Sequence, residues 1–373
     1  MTSVFKNQQL INKKEPATHA IIIGVGEYPD ASKCGLDYLS SPPVSATAFA
    51  EWLKTEYHNP NKPLASIELL ISEKDKKLNI DCPDLVNTKQ AIFDWIQLGD
   101  INPNNLMIFY FCGHGLSTRK HTTLLLNSFG EKKQIKRHVL VDALDFTNFY
   151  LGMDSCRARE QCFFIDVCRS HSDIVTSSLD FFGDRIIEGY DPPNPKRRHY
   201  AIYYSTLYGD FSHGRPGVPS VFTDSLIKSL DGGAGVLDPT TESWIVDSDS
   251  LNRAIGQIMK KILKGKIRQV IKSDTIQFHL HYFKSPPKIP IIVTCNPEMA
   301  NEDADLSYEN IINGDRKVRG QKDVSPWKEN IQVGEIYDFS AYFEKEINFE
   351  TNHIKKYLYP LSSKVEINVL KEG

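Results

Sequence analysis

Leu106-Met107-Ile108-Phe109-Tyr110-Phe111, running into Cys112-Gly113-His114-Gly115, and Cys162-Phe163-Phe164-Ile165-Asp166-Val167, running into Cys168-Arg169-Ser170, decide the fold of this chain. Each is an unbroken apolar run of strand length, rich in aromatic and β-branched residues. Such runs read as strands buried on both faces of a parallel sheet. In open α/β sheets ligands bind beyond the carboxyl ends of the strands. Both runs break off at a reactive side chain, so His114 and Cys168 are expected to face one crevice. A thiol nucleophile and its base need that layout.

The flanking sequence supplies the rest of such a sheet. Residues 19–23 read as a short buried strand ending at Gly24-Val25-Gly26, which lacks the third glycine of a dinucleotide fingerprint. Helices are expected at 44–57, after Pro42-Pro43, and at 88–98, with strands at 66–71, 122–126 and 161–167 and a further helix at 139–151. A polar stretch over 171–198 precedes a strand at 199–204 and helices at 220–230 and 249–263. This alternation predicts a doubly wound, mostly parallel α/β sheet flanked by helices over residues 19–284, after a polar tail at 1–18. Beyond Ser285-Pro286-Pro287 the pattern changes to period two, with Tyr337, Phe339, Ala341 and Phe343 on one face and Val365, Ile367 and Val369 on another. Residues 288–373 are therefore expected to form a small all-β, sandwich-like accessory domain, with Trp327, Tyr337 and Phe339 as core.

Composition narrows the function. The 373 residues are 40% apolar and 24% charged with a net charge of −3, ordinary globular usage that gives no sign of a polyanionic partner. Nucleic-acid binding is not indicated. The first 18 residues carry no signal-peptide pattern and no apolar run is long enough to span a membrane. Seven cysteines, lying mostly within apolar runs, read as reduced thiols of a cytoplasmic protein. Cys112, Cys156 and Cys162 do not have zinc-ligand spacing, so neither a metal nor another cofactor is expected.

A cysteine attacks as its thiolate and needs an electropositive neighbour to lower its pKa. His114 is the candidate base, and then the acid for the leaving amine. Gly113 and Gly115 are read as allowing a sharp turn and close approach to substrate. The amides of Gly115 and Cys168 are candidate oxyanion-hole donors. Asp166 stands two residues before Cys168, on the same strand face. A carboxylate in so apolar a run is costly unless it is paired or solvated. Two readings stay open: a pocket acid that receives a substrate Lys or Arg, and a structural salt bridge to an internal Arg.

These residues resemble the caspase/metacaspase superfamily of cysteine peptidases. Its histidine motif, a strand ending in Ser/Cys-Gly-His-Gly, is matched by Cys112-Gly113-His114-Gly115. Its cysteine motif is matched by Asp166-Val167-Cys168-Arg169, with the histidine roughly 50 residues upstream as in caspases. Ile21-Ile22-Ile23-Gly24-Val25-Gly26-Glu27-Tyr28 looks like the family's first strand and loop. Ser205-Thr206 lies where the substrate loop begins, and Ser220-Val221-Phe222-Thr223-Asp224-Ser225-Leu226 looks like the helix after it. The resemblance implies a cysteine endopeptidase acting on protein substrates, of the bacterial caspase-like kind, with a role in defence or cell death, for instance by cutting a pore-forming protein.

Asp166 matches the acidic specificity residue of metacaspases, which implies cleavage after Arg or Lys, with Ser205 and Asp210 as further substrate-binding candidates. The chain departs from the pattern at Arg169-Ser170-His171, where metacaspases have His-Ser-Gly after the cysteine. It also lacks a match to their calcium-binding acidic cluster. Lys196-Arg197-Arg198 is a candidate self-cleavage run at Arg197 or Arg198, or an ordinary solvated basic run before a strand. The accessory domain would dock a substrate or regulator. The rival reading is a catalytically silent caspase-like scaffold that binds partners.

Overall fold

The computed structural model describes residues 2–29, 36, 38–72, 79–117, 121–130, 139–167, 182–187, 198–205, 216–265, 272–273, 277–344 and 347–371. The chain divides into two compact units, one of residues 1–227 and 247–282, the other of residues 228–246 and 283–373.

In the first unit β1 (Ser3–Lys6) and α1 (Gln8–Lys13) precede β2 (Thr18–Val25), α2 (Ser41–Thr55), β3 (Leu64–Ser72), α3 (Leu85–Gly99) and β4 (Leu106–Gly113). There follow β5 (Gly115–Ser117), β6 (Thr122–Leu125), β7 (Val139–Asp145), α4 (Phe146–Gly152), β8 (Glu160–Val167), β9 (Phe182–Asp184), β10 (His199–Tyr204) and α5 (Val221–Lys228). The hairpin strands β11 (Val236–Asp238) and β12 (Ser243–Asp247) come next. The chain then returns through α6 (Ser248–Ile262), β13 (Lys272–Ser273) and β14 (His279–Tyr282). The main sheet has the order β1-β3-β2-β4-β8-β10-β13. Its five inner strands are parallel, and β1 and β13 close its edges antiparallel.

Both faces of the inner strands are covered, which is why their sequences are continuous apolar runs rather than alternating ones. On one face Ile21, Ile23, Phe109, Phe111, Phe163 and Ile165 meet Ile92 and Trp95 of α3 and Phe146 and Phe149 of α4. On the other, Phe49 of α2 packs tilted against Tyr110 and edge-on against Phe164, and Phe164 stacks on Tyr203. The prolines expected to precede α2 sit inside its first turn, where the missing N–H costs nothing.

Two expectations are corrected. The polar tail is not a tail throughout: residues 3–6 pair antiparallel with β3 and add an edge strand. The helix expected at 139–151 is a strand followed by a helix. Leu144 and Asp145 pair with Leu124 and Thr123, and the Asp145 carboxylate then caps α4 by accepting from the Asn148 N–H at 3.1 Å. The β-branched Val139 and Val141 favour the strand, and a cap is what separates the two periods.

The second unit is a β-sandwich. One sheet is β18-β15-β21, made of β15 (Lys288–Asn296), β18 (Trp327–Gln332) and β21 (Lys364–Asn368). The other is β17-β16-β19-β20, made of β16 (Asp305–Asn310), β17 (Arg316–Val318), β19 (Ile336–Tyr342) and β20 (Asn352–Tyr357). Tyr337, Phe339, Ala341, Val365 and Ile367 are buried in one core between the sheets, as the period-two pattern requires, and the half-buried Trp327 stacks on Tyr308 at 5.6 Å. The β11–β12 hairpin belongs to this unit although its sequence lies upstream of α6: Trp244 packs against the sandwich core. Gly334, at φ +85°, lets the indole approach so closely that a Cβ would fall 2.6 Å from it.

Candidate active site

Strands β4 and β8 run side by side in register to their last residues, where Cys112 pairs with Asp166 and Gly113 with Val167. The residues that follow in the sequence are His114 and Cys168. His114 is described and half-buried; Cys168, Asp210 and Arg197 lie outside the described residues.

His114 stands where the main sheet stops and a small second sheet, β5-β6-β7-β9, begins. Its backbone carbonyl accepts from the Leu125 N–H at 3.0 Å, and its N–H donates to the Tyr28 hydroxyl at 2.7 Å. That hydroxyl donates in turn to the Leu125 carbonyl at 3.3 Å. The phenol ring lies 4.9 Å from the imidazole, tilted by 52°. The loop carrying Tyr28 is itself held, since the Gly26 and Glu27 N–H groups both donate to Ser72 Oγ and Asn127 donates to the Glu27 carbonyl at 2.7 Å.

Gly113 and Gly115 serve a purpose other than a sharp turn. A Cβ on Gly113 would lie 2.8 Å from the Tyr28 hydroxyl, and one on Gly115 would lie 2.7 Å from Val167. The first glycine admits the tyrosine that holds His114. The second lets the chain just past His114 press against the residue just before Cys168.

Asp166 is 1% exposed. Its Oδ2 receives hydrogen bonds from the Cys112 thiol at 3.3 Å, from the Thr223 hydroxyl at 3.3 Å and from the Ser220 hydroxyl. Thr223 is bonded to Tyr110 Oη at 2.7 Å, so with its own proton on Asp166 it accepts from the tyrosine. Ser220 also caps α5, accepting from the Thr223 N–H at 3.0 Å, so the start of that helix and its partial positive charge face the carboxylate. Burial, and then the adjoining Asp166, push the Cys112 thiol well above its ordinary pKa, which keeps it a donor and no nucleophile. These donors answer the cost of the buried acid. Their signal was present in the sequence: Tyr110 and Cys112 share a strand face by period two, and Ser220 precedes a helix at a capping position.

Ser205, 1% exposed at the end of β10, donates through Oγ to the Val167 carbonyl at 3.2 Å, and its N–H donates to the Ile165 carbonyl at 3.0 Å. Its side chain is thus committed to the end of β8. Arg198 is built into the fold: its side chain is 8% exposed, pairs with Asp154 at 2.7 Å, donates to the Tyr150 carbonyl and Gln161, and stacks on Tyr200 at 4.5 Å. Cleavage directly after Arg198 would require all of these contacts to be released. Among the described residues no cluster of three metal-ligating side chains occurs, and no helix is long and apolar enough to cross a membrane.

The family model of the caspase domain matches residues 17–268, more than half of the chain, which places this chain in the caspase-domain peptidase family, a family of cysteine peptidases. It is 26% identical over 218 residues to the uncharacterized protein y4kE of Sinorhizobium fredii, covering 55% of this chain and 60% of that one. It is also 26% identical over 254 residues to a "Probable protease" of a Desulfuromonadales bacterium, covering 63% of this chain and 29% of the relative. The chain thus spans less than two thirds of the length of either. Among solved structures it is similar to caspase-1 of Spodoptera frugiperda, with 15% identity, a TM-score of 0.40 and coverage of 69% and 87% of the two chains. A Geobacter sulfurreducens protein gives 12% identity, a TM-score of 0.43 and coverage of 70% and 93%.

Proposed function

We propose that this member of the caspase-domain family is a cysteine endopeptidase working through His114 and Cys168, with Asp166 directing cleavage to the bond after Arg or Lys. The observation that carries the reading is the register of β4 and β8, which pair up to Gly113 and Val167, the residues that immediately precede His114 and Cys168 in the sequence. His114 takes the Cys168 proton, and the thiolate adds to the scissile carbonyl carbon. When the tetrahedral intermediate collapses, the C–N bond breaks and His114 returns the proton to the leaving amine. Water, deprotonated by the same imidazole, then cleaves the thioester and restores the thiol.

The amides of Gly115 and Cys168 are the oxyanion donors of this reading. His114 and Leu125 form a hydrogen-bonded pair of the β5–β6 ladder, and the antiparallel alternation turns the Gly115 N–H away from β6. Asp166 lies two residues before the nucleophile, buried at the end of the strand, where a long cationic side chain would reach it. Asp210 is retained as a second acid of that pocket and Arg197 as a self-cleavage position.

The test is covalent labelling with a peptide chloromethyl ketone ending in Arg, followed by peptide mapping and by turnover of a panel of peptides differing at the residue before the cut. The expected result is one adduct on Cys168 and hydrolysis after Arg and Lys that Cys168→Ala abolishes. No adduct, together with equal turnover by wild type and Cys168→Ala, would overturn the assignment. Hydrolysis chiefly after Asp would overturn the role of Asp166 alone.

A further inference from the structure

We infer that Tyr28 is a positioning residue for His114, its hydroxyl acting as a wedge in the β5–β6 ladder that sets where the imidazole stands. The inference rests on the proposed dyad and extends it to the residue that holds the His114 backbone.

In an antiparallel pair two opposite residues exchange both of their N–H···O=C bonds. His114 and Leu125 exchange only one directly, from the Leu125 N–H to the His114 carbonyl. The return bond is replaced by a relay, in which the His114 N–H donates to Tyr28 Oη at 2.7 Å and Tyr28 Oη donates to the Leu125 carbonyl at 3.3 Å. One hydroxyl is therefore interposed in the ladder at the position of the proposed base. It holds the His114 N–H off the Leu125 carbonyl, while the phenol ring, 4.9 Å from the imidazole, limits its swing.

Three further features fit this role. The hydroxyl meets Gly113, where any side chain would displace it. Tyr28 is 6% exposed, so solvent does not readily replace its hydroxyl. The loop that bears it is anchored to Ser72 at the end of β3 and to Asn127 in the turn after β6, so the wedge is itself fixed. Without the hydroxyl the ladder can close, His114 N–H directly onto Leu125 O=C, and the imidazole is carried away from the nucleophile. Small displacements of a catalytic group are costly because reaction demands near-contact geometry.

The experiment follows the rate at which iodoacetamide alkylates Cys168, read by peptide mapping from about pH 5 to about pH 9, in the full chain. Wild type, Tyr28→Phe, His114→Ala and Tyr57→Phe are compared, each with its thermal midpoint. Tyr57 is a half-buried tyrosine near the opposite end of the strands, bonded to Thr18 at 2.7 Å, and controls for the general cost of losing a hydrogen-bonded tyrosine hydroxyl. The expected result is that Tyr28→Phe loses about tenfold in alkylation rate near pH 6, keeps the wild-type rate at high pH, and loses kcat on peptide with KM unchanged. Tyr57→Phe should follow wild type in all three. A Tyr28→Phe profile that superimposes on wild type while His114→Ala departs from it overturns the wedge and leaves the dyad standing. A His114→Ala profile that superimposes on wild type overturns the dyad, and the wedge with it. If Tyr57→Phe moves the profile as Tyr28→Phe does, the effect is general destabilisation and the wedge is overturned.

Discussion

Two histidines stand on the same parallel sheet, one at each end of its strands, and their surroundings are opposite. His19, near the start of β2, is 2% exposed; its Nδ1 is bonded to Ser66 Oγ at 2.8 Å, and burial pulls its pKa down to about 4. His114, just past the end of β4, is half-buried, with both backbone groups tied down and its ring against a tyrosine. A base that must gain and lose a proton near neutrality cannot be placed as His19 is, because the low-dielectric core holds it neutral. Burial of the ring makes a structural histidine. Immobilising the backbone while leaving the ring at the rim makes one suited to chemistry. The contrast follows from topology, since the carboxyl ends of the strands are where chains leave the sheet and side chains meet a crevice.

The largest expected effect breaks the comparison if it fails. His114→Ala should lower kcat on Arg peptides about 1000-fold or more, with the thermal midpoint little changed, because general acid–base catalysis is lost at a partly exposed site. His19→Gln should do the reverse, lowering the unfolding midpoint and leaving kcat per folded molecule intact. Steady-state kinetics beside thermal melts decide it, and equal kinetic losses in the two variants would erase the distinction drawn between the ends of the sheet.

Next in size is the pH dependence of stability. His19 and His281 are both neutral in the fold with pKa values pulled down to about 4, mainly by burial and, for His281, also by His58. Unfolding returns each to about 6.5, so between these values the unfolded chain binds more protons, and stability falls as the pH drops through that window. Each can remove up to about 3 kcal/mol by pH 4. Urea titrations at steps across the window should show this loss in wild type and a smaller one in His19→Gln. An identical slope in the two would mean that His19 does not titrate as its burial demands.

The same contrast explains what the sequence could and could not disclose. The sheet was legible because burial on both faces writes itself as unbroken runs, and the places where β4 and β8 end were legible because polar residues break those runs. The strand–helix break at Asp145 was missed because a cap was read as part of a helical period. The Trp244 hairpin was missed because a segment that packs outside its sequential neighbourhood leaves no periodic trace. Tyr28 and Thr223 were visible in the sequence only within family-like segments, and Ser220 there and as a capping residue before a helix. Their hydrogen bonds to His114 and Asp166 join segments far apart in sequence, and no local pattern encodes a contact of that range.

A third test sharpens the rim end alone. Asp166→Asn keeps the volume of the side chain at the proposed pocket acid and replaces its carboxyl with an amide, so kcat/KM for Arg and Lys peptides should fall about 100-fold, with uncharged residues before the cut affected far less. The amide also brings two donors to a site where Cys112, Ser220 and Thr223 already donate. Some loss of thermal midpoint is therefore expected as well. Because that loss applies to every substrate equally, the ratio of Arg to Leu peptide cleavage is the quantity to read. An unchanged ratio would assign Asp166 to the scaffold and leave specificity to other residues.

The smallest effect compares two buried serines, one beside each histidine's end of the sheet. Ser66 accepts or donates at His19 Nδ1, and Ser205 donates to the Val167 carbonyl. Either alanine variant should cost about 1 kcal/mol, the net worth of a typical buried hydrogen bond, so thermal melts alone would not tell them apart. Activity should. Val167 is the residue before Cys168, and freeing its carbonyl lets the end of β8 shift against Gly115, whose Cα lies against the Val167 side chain. Ser205→Ala should therefore lower kcat several-fold at equal stability, whereas Ser66→Ala should leave it unchanged. If the two variants behave alike in both measurements, holding the strand end contributes nothing beyond stability, and the Ser205 hydroxyl belongs with Ser66 as part of the scaffold.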